Sequence, residues 1–334
     1  MNTDKSREAF LWITEGDVVQ LLSFGEAIAA LERTLMLEAR GEAQNMGKTH
    51  VAWGRGNTLH ALGASVPGAH LVGTKTWAHT EGGATPLLIL FDSTSGALKA
   101  VIEAFALGQM RTGGISGVAT RWLARQDADE LAVIGTGKQM LAQVAAVVAV
   151  RPLRRVRLFS PNPEHRARAA ERLRATMQCC VVEAPSIEAC VVNAPIITLV
   201  TRAKQPFLTA NMIRRGAHVN AVGAITAERA EFADDLFSRC GRVVVDSPAA
   251  VRTLSREFIE HYGADAAGWQ AVVPLSAIVA QRGTRPVDTD VTLFKAMGMG
   301  ISDLALGIEV YRQAVAQGVG RALSHPQPVS PRLQ

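Results

Sequence analysis

Residues 130–140 read Glu-Leu-Ala-Val-Ile-Gly-Thr-Gly-Lys-Gln-Met, an apolar strand that runs into Gly135-Thr136-Gly137 and then, from Met140, into an Ala/Val-rich helical stretch ending near Val150. Strand, tight turn and helix in that order are what a dinucleotide phosphate loop demands. Gly135 allows the turn. Gly137 lets the backbone approach a pyrophosphate at the helix N-terminus, where free N–H groups and the helix dipole favour anions. Met140 occupies the third small position of the fingerprint and departs from it.

Outward from this unit, Leu131 to Asp246 alternates β-branched runs with helical stretches, the signature of parallel βαβ units. Strands are expected at Leu131 to Gly135, Val156 to Phe159, Cys180 to Val182, Ile196 to Val200, Ala217 to Val222 and Val243 to Val245. Pro163 to Thr176 reads as an arginine-studded helix with proline in its first turn. The fold class is therefore α/β, a Rossmann-type doubly wound parallel sheet. The chain before Leu123 reads differently: a helix from Phe24 to Gly41, glycine-punctuated strand-like segments, then a helix beginning near Leu107. A helical stretch from Asp288 to Gln317 is long enough to return to that part. The expectation is a dinucleotide-binding domain over 124–287, inserted in a discontinuous α+β substrate domain made of 1–123 plus 288–334.

The second strand of such a sheet selects the cofactor. An NAD site normally ends it with an acid for the ribose 2′-OH, whereas a 2′-phosphate wants cations and hydrogen-bond donors. Here it ends Leu158-Phe159-Ser160-Pro161-Asn162, and no acid follows until Glu164. Ser160 and Asn162 can donate hydrogen bonds, and Arg166 and Arg168 stand on the first turns of the next helix, so NADP(H) is favoured over NAD(H). The competing reading is that these arginines solvate an exposed helix face.

Charge supports the same placement. The net charge of +5 and pI near 9.3 invite a nucleic-acid or membrane partner. Eight arginines against two glutamates between Arg151 and Arg174 account for more than that whole excess, so the rest of the chain is slightly acidic and neither partner is expected. Apolar residues at 48% and charged ones at 19% fit a soluble globular protein with ample core. The four cysteines form no C-x-x-C pair, which points to a reducing cytoplasm rather than a disulfide framework or a zinc site. The first 22 residues lack an apolar signal core, and no apolar run is long enough to span a bilayer. His50, His60, His70 and His79 recur at nine- or ten-residue intervals, too far apart for ordinary metal-ligand pairs, so no metal is expected.

Four segments in order carry a further reading: Met110-Arg111-Thr112-Gly113-Gly114, Val133-Ile134-Gly135-Thr136-Gly137-Lys138-Gln139, Val219-Asn220-Ala221-Val222-Gly223, and Thr292-Leu293-Phe294-Lys295-Ala296-Met297-Gly298-Met299-Gly300-Ile301-Ser302-Asp303. They resemble the signatures of the ornithine cyclodeaminase/mu-crystallin family, and the likeness runs from about Leu11 to Ala322. The resemblance implies the fold read above, dimerisation through the substrate domain, and a small amino or imino acid substrate. It implies that Arg111 grips the substrate carboxylate as a bidentate fork and that Lys75 is the second cation and the acid keeping an imine protonated. Lys48 lies roughly where the family has another basic residue, and an exposed structural lysine is the better reading of it. His60 is a candidate for the pocket wall. The implied cofactor set is Thr112, Gly135, Thr136, Gly137, Lys138, Gln139, Met140, Ser160, Asn162, Arg166, Thr201, Val222, Gly223, Ala296 and Gly298.

The departures choose among reactions. Cyclodeaminases of the family carry an aspartate just after the glycines that end the fifth strand, whereas this chain reads Gly223-Ala224-Ile225-Thr226-Ala227. Ala296 replaces the serine of the last motif, while Asp303 keeps its acid. What remains, a carboxylate clamp and a nicotinamide site, fits hydride transfer from NAD(P)H to C2 of a 2-imino acid. That is the ketimine reductase branch, with Δ1-pyrroline-2-carboxylate as a typical substrate, and an amino acid dehydrogenase uses the same parts. The alternatives are ornithine cyclodeaminase and a non-catalytic NADPH-binding protein.

Overall fold

The computed structural model describes residues 9–47, 49–283 and 285–333. One sheet belongs to the first part of the chain, its strands lying in the order Arg321–Ser324, Ala9–Ile13, Leu98–Glu103, Leu87–Asp92, Leu71–Thr80, Asn57–Val66 and Gln44–Asn45. Neighbours are antiparallel except Ala9–Ile13 on Leu98–Glu103. The pleat alternates cleanly: Gly73, Lys75, Leu88, Leu90, Ala100 and Ile102 point into the core. That face is covered by helices Phe24–Ala39, Phe105–Leu123 and Gly300–Gln317. Ser23 starts the first of these through a capping box with Glu26.

The second sheet has eight parallel strands in the order Cys180–Glu183, Arg155–Phe159, Glu130–Ile134, Ile196–Leu199, His218–Ala221, Val291–Lys295, Cys240–Val245 and Val272–Pro274. All six strands read from the sequence are here. Val272–Pro274 and Val291–Lys295 add two strands beyond those six. The stretch from 288, expected as a helix returning to the first domain, instead supplies a central strand before helix Gly300–Gln317 begins. The nucleotide sheet therefore keeps the chain through Lys295, beyond the boundary placed at 287. The reason lies in burial: all five residues of Val291–Lys295 are buried, so the strand shows none of the polar alternation that would have marked it.

The two halves are joined at helix Phe105–Leu123, whose mid-helix glycines are explained by close packing. A Cβ on Gly113 would lie 2.5 Å from the Ala142 carbonyl oxygen, and one on Gly117 would lie 2.6 Å from Ile28. Helix Met140–Val148, which follows the phosphate loop, is thus seated directly on the helix that carries Arg111. The Gln143 side chain donates to the Thr112 carbonyl at 3.1 Å across that seam. Arg151, nearly buried, donates to the carbonyls of Thr120, Arg121 and Ala124 at the end of the same helix, satisfying acceptors that the helix leaves open.

Candidate active site

A cleft of about 650 Å³ opens at the C-terminal ends of the parallel strands, where open α/β sheets bind ligands. Its wall includes Thr112, Gly135, Thr136, Gly137, Lys138, Gln139, Thr201, Val222, Gly223, Ala296 and Gly298 from the sequence-derived set, together with Arg111. Gly135 has φ +117°, and a Cβ there would stand 2.6 Å from the Val200 carbonyl oxygen, so the turn needs glycine. A Cβ on Gly137 would meet nothing within 4 Å, which leaves its backbone open to a ligand. Helix Met140–Val148 has no side-chain cap, and the Gln139 Oε1 beside it is buried without a hydrogen-bond partner. An open glycine turn, an uncapped helix start and an unsatisfied polar atom fit a bound pyrophosphate. Met140 departs from the expectation, because its side chain is 1% exposed and packs in the core beneath the loop.

Arg111 enters the cleft from helix Phe105–Leu123, and behind it lies Lys75 on strand Leu71–Thr80. Asp303, in the first turn of helix Gly300–Gln317, joins them: its Oδ1 sits 2.5 Å from Lys75 Nζ and 3.2 Å from Arg111 Nε. The carboxylate is wholly buried and the Lys75 side chain 5% exposed. Among the described residues, two cations thus stand around this one carboxylate, beside the cleft. The Lys75 ammonium also stands 5.1 Å from the centre of the Trp77 ring. His60 stacks on Trp77 with ring centres 4.7 Å apart, and His50 stacks on His60. His60 thus belongs to an aromatic column beside the lysine. Lys48 lies outside the described residues.

Gly298 makes room for the guanidinium. It has φ +83°, and a Cβ on it would come within 2.9 Å of Arg111 Nη1. The turn is held from beneath by Asp246, whose carboxylate accepts the Met297 and Gly298 N–H groups at 2.8 Å each. Burial pushes the Asp246 carboxyl up, against the pull of those N–H groups and of Arg111.

At the ribose end, the groups expected to face a cofactor are partly engaged in building the loop. The Asn162 Oδ1 caps helix Pro163–Thr176 by accepting the His165 N–H, and Ser160 Oγ donates to the Asn162 carbonyl. Arg166 donates to the Ser160 carbonyl at 2.8 Å and lies over the Phe159 ring. The other arginines of the basic segment are largely paired. Arg154 meets Asp129, Arg155 and Arg157 share Glu130, and Arg174 meets Glu183. The charge surplus near the second strand is thus mostly structural.

Sequence reading missed a buried polar layer behind the cleft. Glu231 is 0% exposed, and its carboxylate accepts from Thr201 N, Thr201 Oγ1, Gly223 N and Ala224 N at 2.7–3.1 Å. Burial raises its carboxyl, opposed by the charge of Lys295. Lys295 is itself fully buried and paired with Glu257 at 3.3 Å. Isolated acids carry no local signal for such a role. Ile225, within the Gly223 to Ala227 segment that follows the fifth of the parallel strands in chain order, lines the cleft, whereas Glu228 is exposed and outside its wall.

Comparison with known proteins agrees with this architecture. A Δ1-pyrroline-2-carboxylate reductase of Bacillus cereus is 28% identical over 271 residues, covering 79% of this chain and 81% of that protein. Among solved structures, the Thermococcus litoralis Δ1-pyrroline-2-carboxylate reductase in complex with NADH and L-proline superposes with a TM-score of 0.86. It is 26% identical, and the match covers 93% of this chain and 99% of that one. The iminosuccinate reductase of Paracoccus denitrificans, in complex with NAD⁺, gives the same TM-score at 25% identity, over 96% of this chain and 100% of that one. The family match itself runs over residues 11–318, nearly the whole described chain, so the protein belongs to the ornithine cyclodeaminase/mu-crystallin family.

Proposed function

We propose that the protein is an NAD(P)H-dependent reductase of 2-imino acids, cyclic ketimines such as Δ1-pyrroline-2-carboxylate foremost, with an amino acid dehydrogenase reaction open to the same parts. The observation that carries this is the Lys75–Asp303–Arg111 cluster at the edge of the phosphate-loop cleft. Relatives that reduce pyrroline-2-carboxylate and iminosuccinate support it.

A reduced nicotinamide, when bound, supplies the hydride. The residues of the chain do the rest. Arg111 offers its guanidinium edge to the substrate carboxylate, which fixes the plane of the C=N bond, and Lys75 adds a second positive charge and holds a proton for the imine nitrogen. Asp303 holds the two cations together and orients them toward the substrate side of the site. Ile225 gives the cleft an apolar wall where a cyclodeaminase needs an acid for the distal amine.

NADPH is the favoured donor, supported by the absence of any acid at the end of strand Arg155–Phe159 and by Arg166 on the following turn. A homodimer is supported by the outer face of the first sheet, where Val72, Leu87, Ile89, Phe91 and Val101 stay half-buried. The four cysteines stand unpaired, which supports a reducing cytoplasm. No described helix is long and apolar enough to cross a membrane.

The test gives purified protein NADPH or NADH with Δ1-pyrroline-2-carboxylate, and separately ornithine with catalytic NAD⁺. Oxidation of the reduced cofactor is expected in the first. Proline and ammonia from the second, with silence in the first, would replace the reductase by a cyclodeaminase. Silence in both, with NADPH still quenching the tryptophan fluorescence, would leave a binding protein.

A further inference from the structure

We infer that Glu231 is a positioning residue for the cofactor, a buried clamp that sets the two strand-end loops carrying Thr201 and Gly223 at the distance the nicotinamide cofactor requires. The inference rests on the reading of the cleft as a cofactor site. Thr201 and Gly223 both line that cleft, one after strand Ile196–Leu199 and one after strand His218–Ala221. Glu231 touches neither the opening nor the solvent. It sits behind both loops and spends its whole acceptor capacity on them. Oε1 takes the Thr201 N–H at 2.7 Å and its hydroxyl at 2.8 Å, and Oε2 takes Gly223 N–H at 2.8 Å and Ala224 N–H at 3.1 Å.

The loops are drawn together tightly. A Cβ on Gly223 would lie 2.1 Å from the Thr201 carbonyl oxygen and 2.5 Å from Glu231 Oε1, so glycine is required for the loops to meet around the carboxylate. The clamp is anchored in turn. The Glu231 N–H donates to Glu257 Oε1 at 3.1 Å, and Glu257 is held by Ser255 Oγ at 2.8 Å and by the buried Lys295 ammonium. Lys295 directly precedes Ala296, which lines the same cleft. One buried network therefore reaches three segments of the cofactor wall.

The geometry excludes an amide as a replacement. Three of the four donors are backbone N–H groups, present on both sides of the carboxylate, so a glutamine must point its NH₂ at one of them. That side of the clamp opens, although size and packing are unchanged.

The test compares wild-type protein with Glu231→Gln. Cofactor dissociation constants come from energy transfer between the protein's tryptophans and NADPH or NADH, and thermal unfolding is followed in parallel. The expected result is a cofactor Kd and cofactor KM raised at least tenfold, with the imine KM at saturating cofactor within threefold of wild type. A folded variant whose Kd stays within twofold, whatever its melting temperature, would reduce Glu231 to a structural acid and overturn the inference. Thr201→Val is the second variant, needed where Glu231→Gln does not fold. It removes one of the four donors, and with it the acceptor of the Ala203 N–H, while keeping the shape, and a Kd raised at least threefold is expected. A Kd within twofold of wild type would overturn the inference. Wild-type protein that bound neither cofactor would instead sink the cofactor reading, and the clamp with it.

Discussion

Replacing Asp303 by asparagine tests the centre of the proposed site. The substitution keeps the shape of the side chain and removes the charge that lies between Lys75 Nζ and Arg111 Nε. Both the carboxylate and the lysine are buried, so the two cations lose a shared charge partner in a place water scarcely reaches. Removing one partner of a buried pair costs roughly 3–5 kcal/mol, and the partial exposure of Arg111 puts this case near the middle, at about 4. At roughly 2–4 °C of melting temperature per kcal/mol for domains of this size, the variant should melt about 8–16 °C lower. The loss should shrink when a carboxylate ligand such as proline is added, because the ligand then supplies the missing negative charge. Activity should fall as well. With Asp303 gone, Arg111 and Lys75 repel each other, and kcat/KM for the imine should drop at least tenfold, about 1.4 kcal/mol of transition-state stabilisation. Calorimetry with and without proline, followed by steady-state kinetics, checks both parts. A variant that melts within 2 °C of wild type and keeps kcat/KM within threefold would refute the role given to Asp303.

Three further outcomes are expected. Arg111→Lys should lower kcat/KM at least tenfold and by more than Lys48→Ala, since an ammonium cannot reproduce the planar fork; equal losses would undo the clamp assignment. Gly298→Ala should cost about 1–2 kcal/mol of backbone strain at φ +83° and should raise the imine KM by displacing Arg111, and because Gly298 also lines the proposed cofactor cleft NADPH affinity should fall with it; steady-state kinetics and direct NADPH titration check both parts, and a variant with wild-type imine KM would refute the role given to Gly298. His218 is buried between Thr292 Oγ1 and Asn220 Oδ1, and burial pushes its pKa down to about 3. The folded protein therefore refuses a proton that the unfolded chain accepts near its ordinary value of 6.5, and stability is lost as pH falls below that value. Between pH 7 and 5 the loss should be about 2 kcal/mol from this group, visible in urea melts as a steeper decline than that of His218→Gln.

What was legible in the sequence was local. Glu130 to Met140 announces its phosphate loop because strand, turn and helix are consecutive, and the same consecutiveness makes all six alternating strands readable. Arg111 and Lys75 were legible through short motifs. Their union was not, because the acid between them comes from a third element, helix Gly300–Gln317, 228 residues after Lys75. Val291–Lys295 reads as part of a helical stretch because a strand buried on both faces has no polar period. The arginine segment misled in a different way. Its count is a property of composition, but its meaning depends on partners such as Asp129, Glu130 and Glu183, which pairing of the strands brings alongside.

The same distinction explains why the choice of reaction rests on one apolar residue. The proposed clamp would serve any 2-amino or 2-imino carboxylate, and the proposed phosphate loop any dinucleotide, so neither separates reduction from cyclisation. Cyclisation further needs an acid beside the distal amine. The nearest acids along the chain are Glu228, which is exposed, and Glu231, whose four accepted hydrogen bonds hold it behind the loops. Bringing Glu231 into the cleft would leave three backbone N–H groups unpaired, at roughly 1–3 kcal/mol each where they stay buried. Ile225 therefore lines the cleft with no acid standing in for it among its chain neighbours, and in the proposed reaction the wall it forms would suit a ring or alkyl side chain better than an ammonium group.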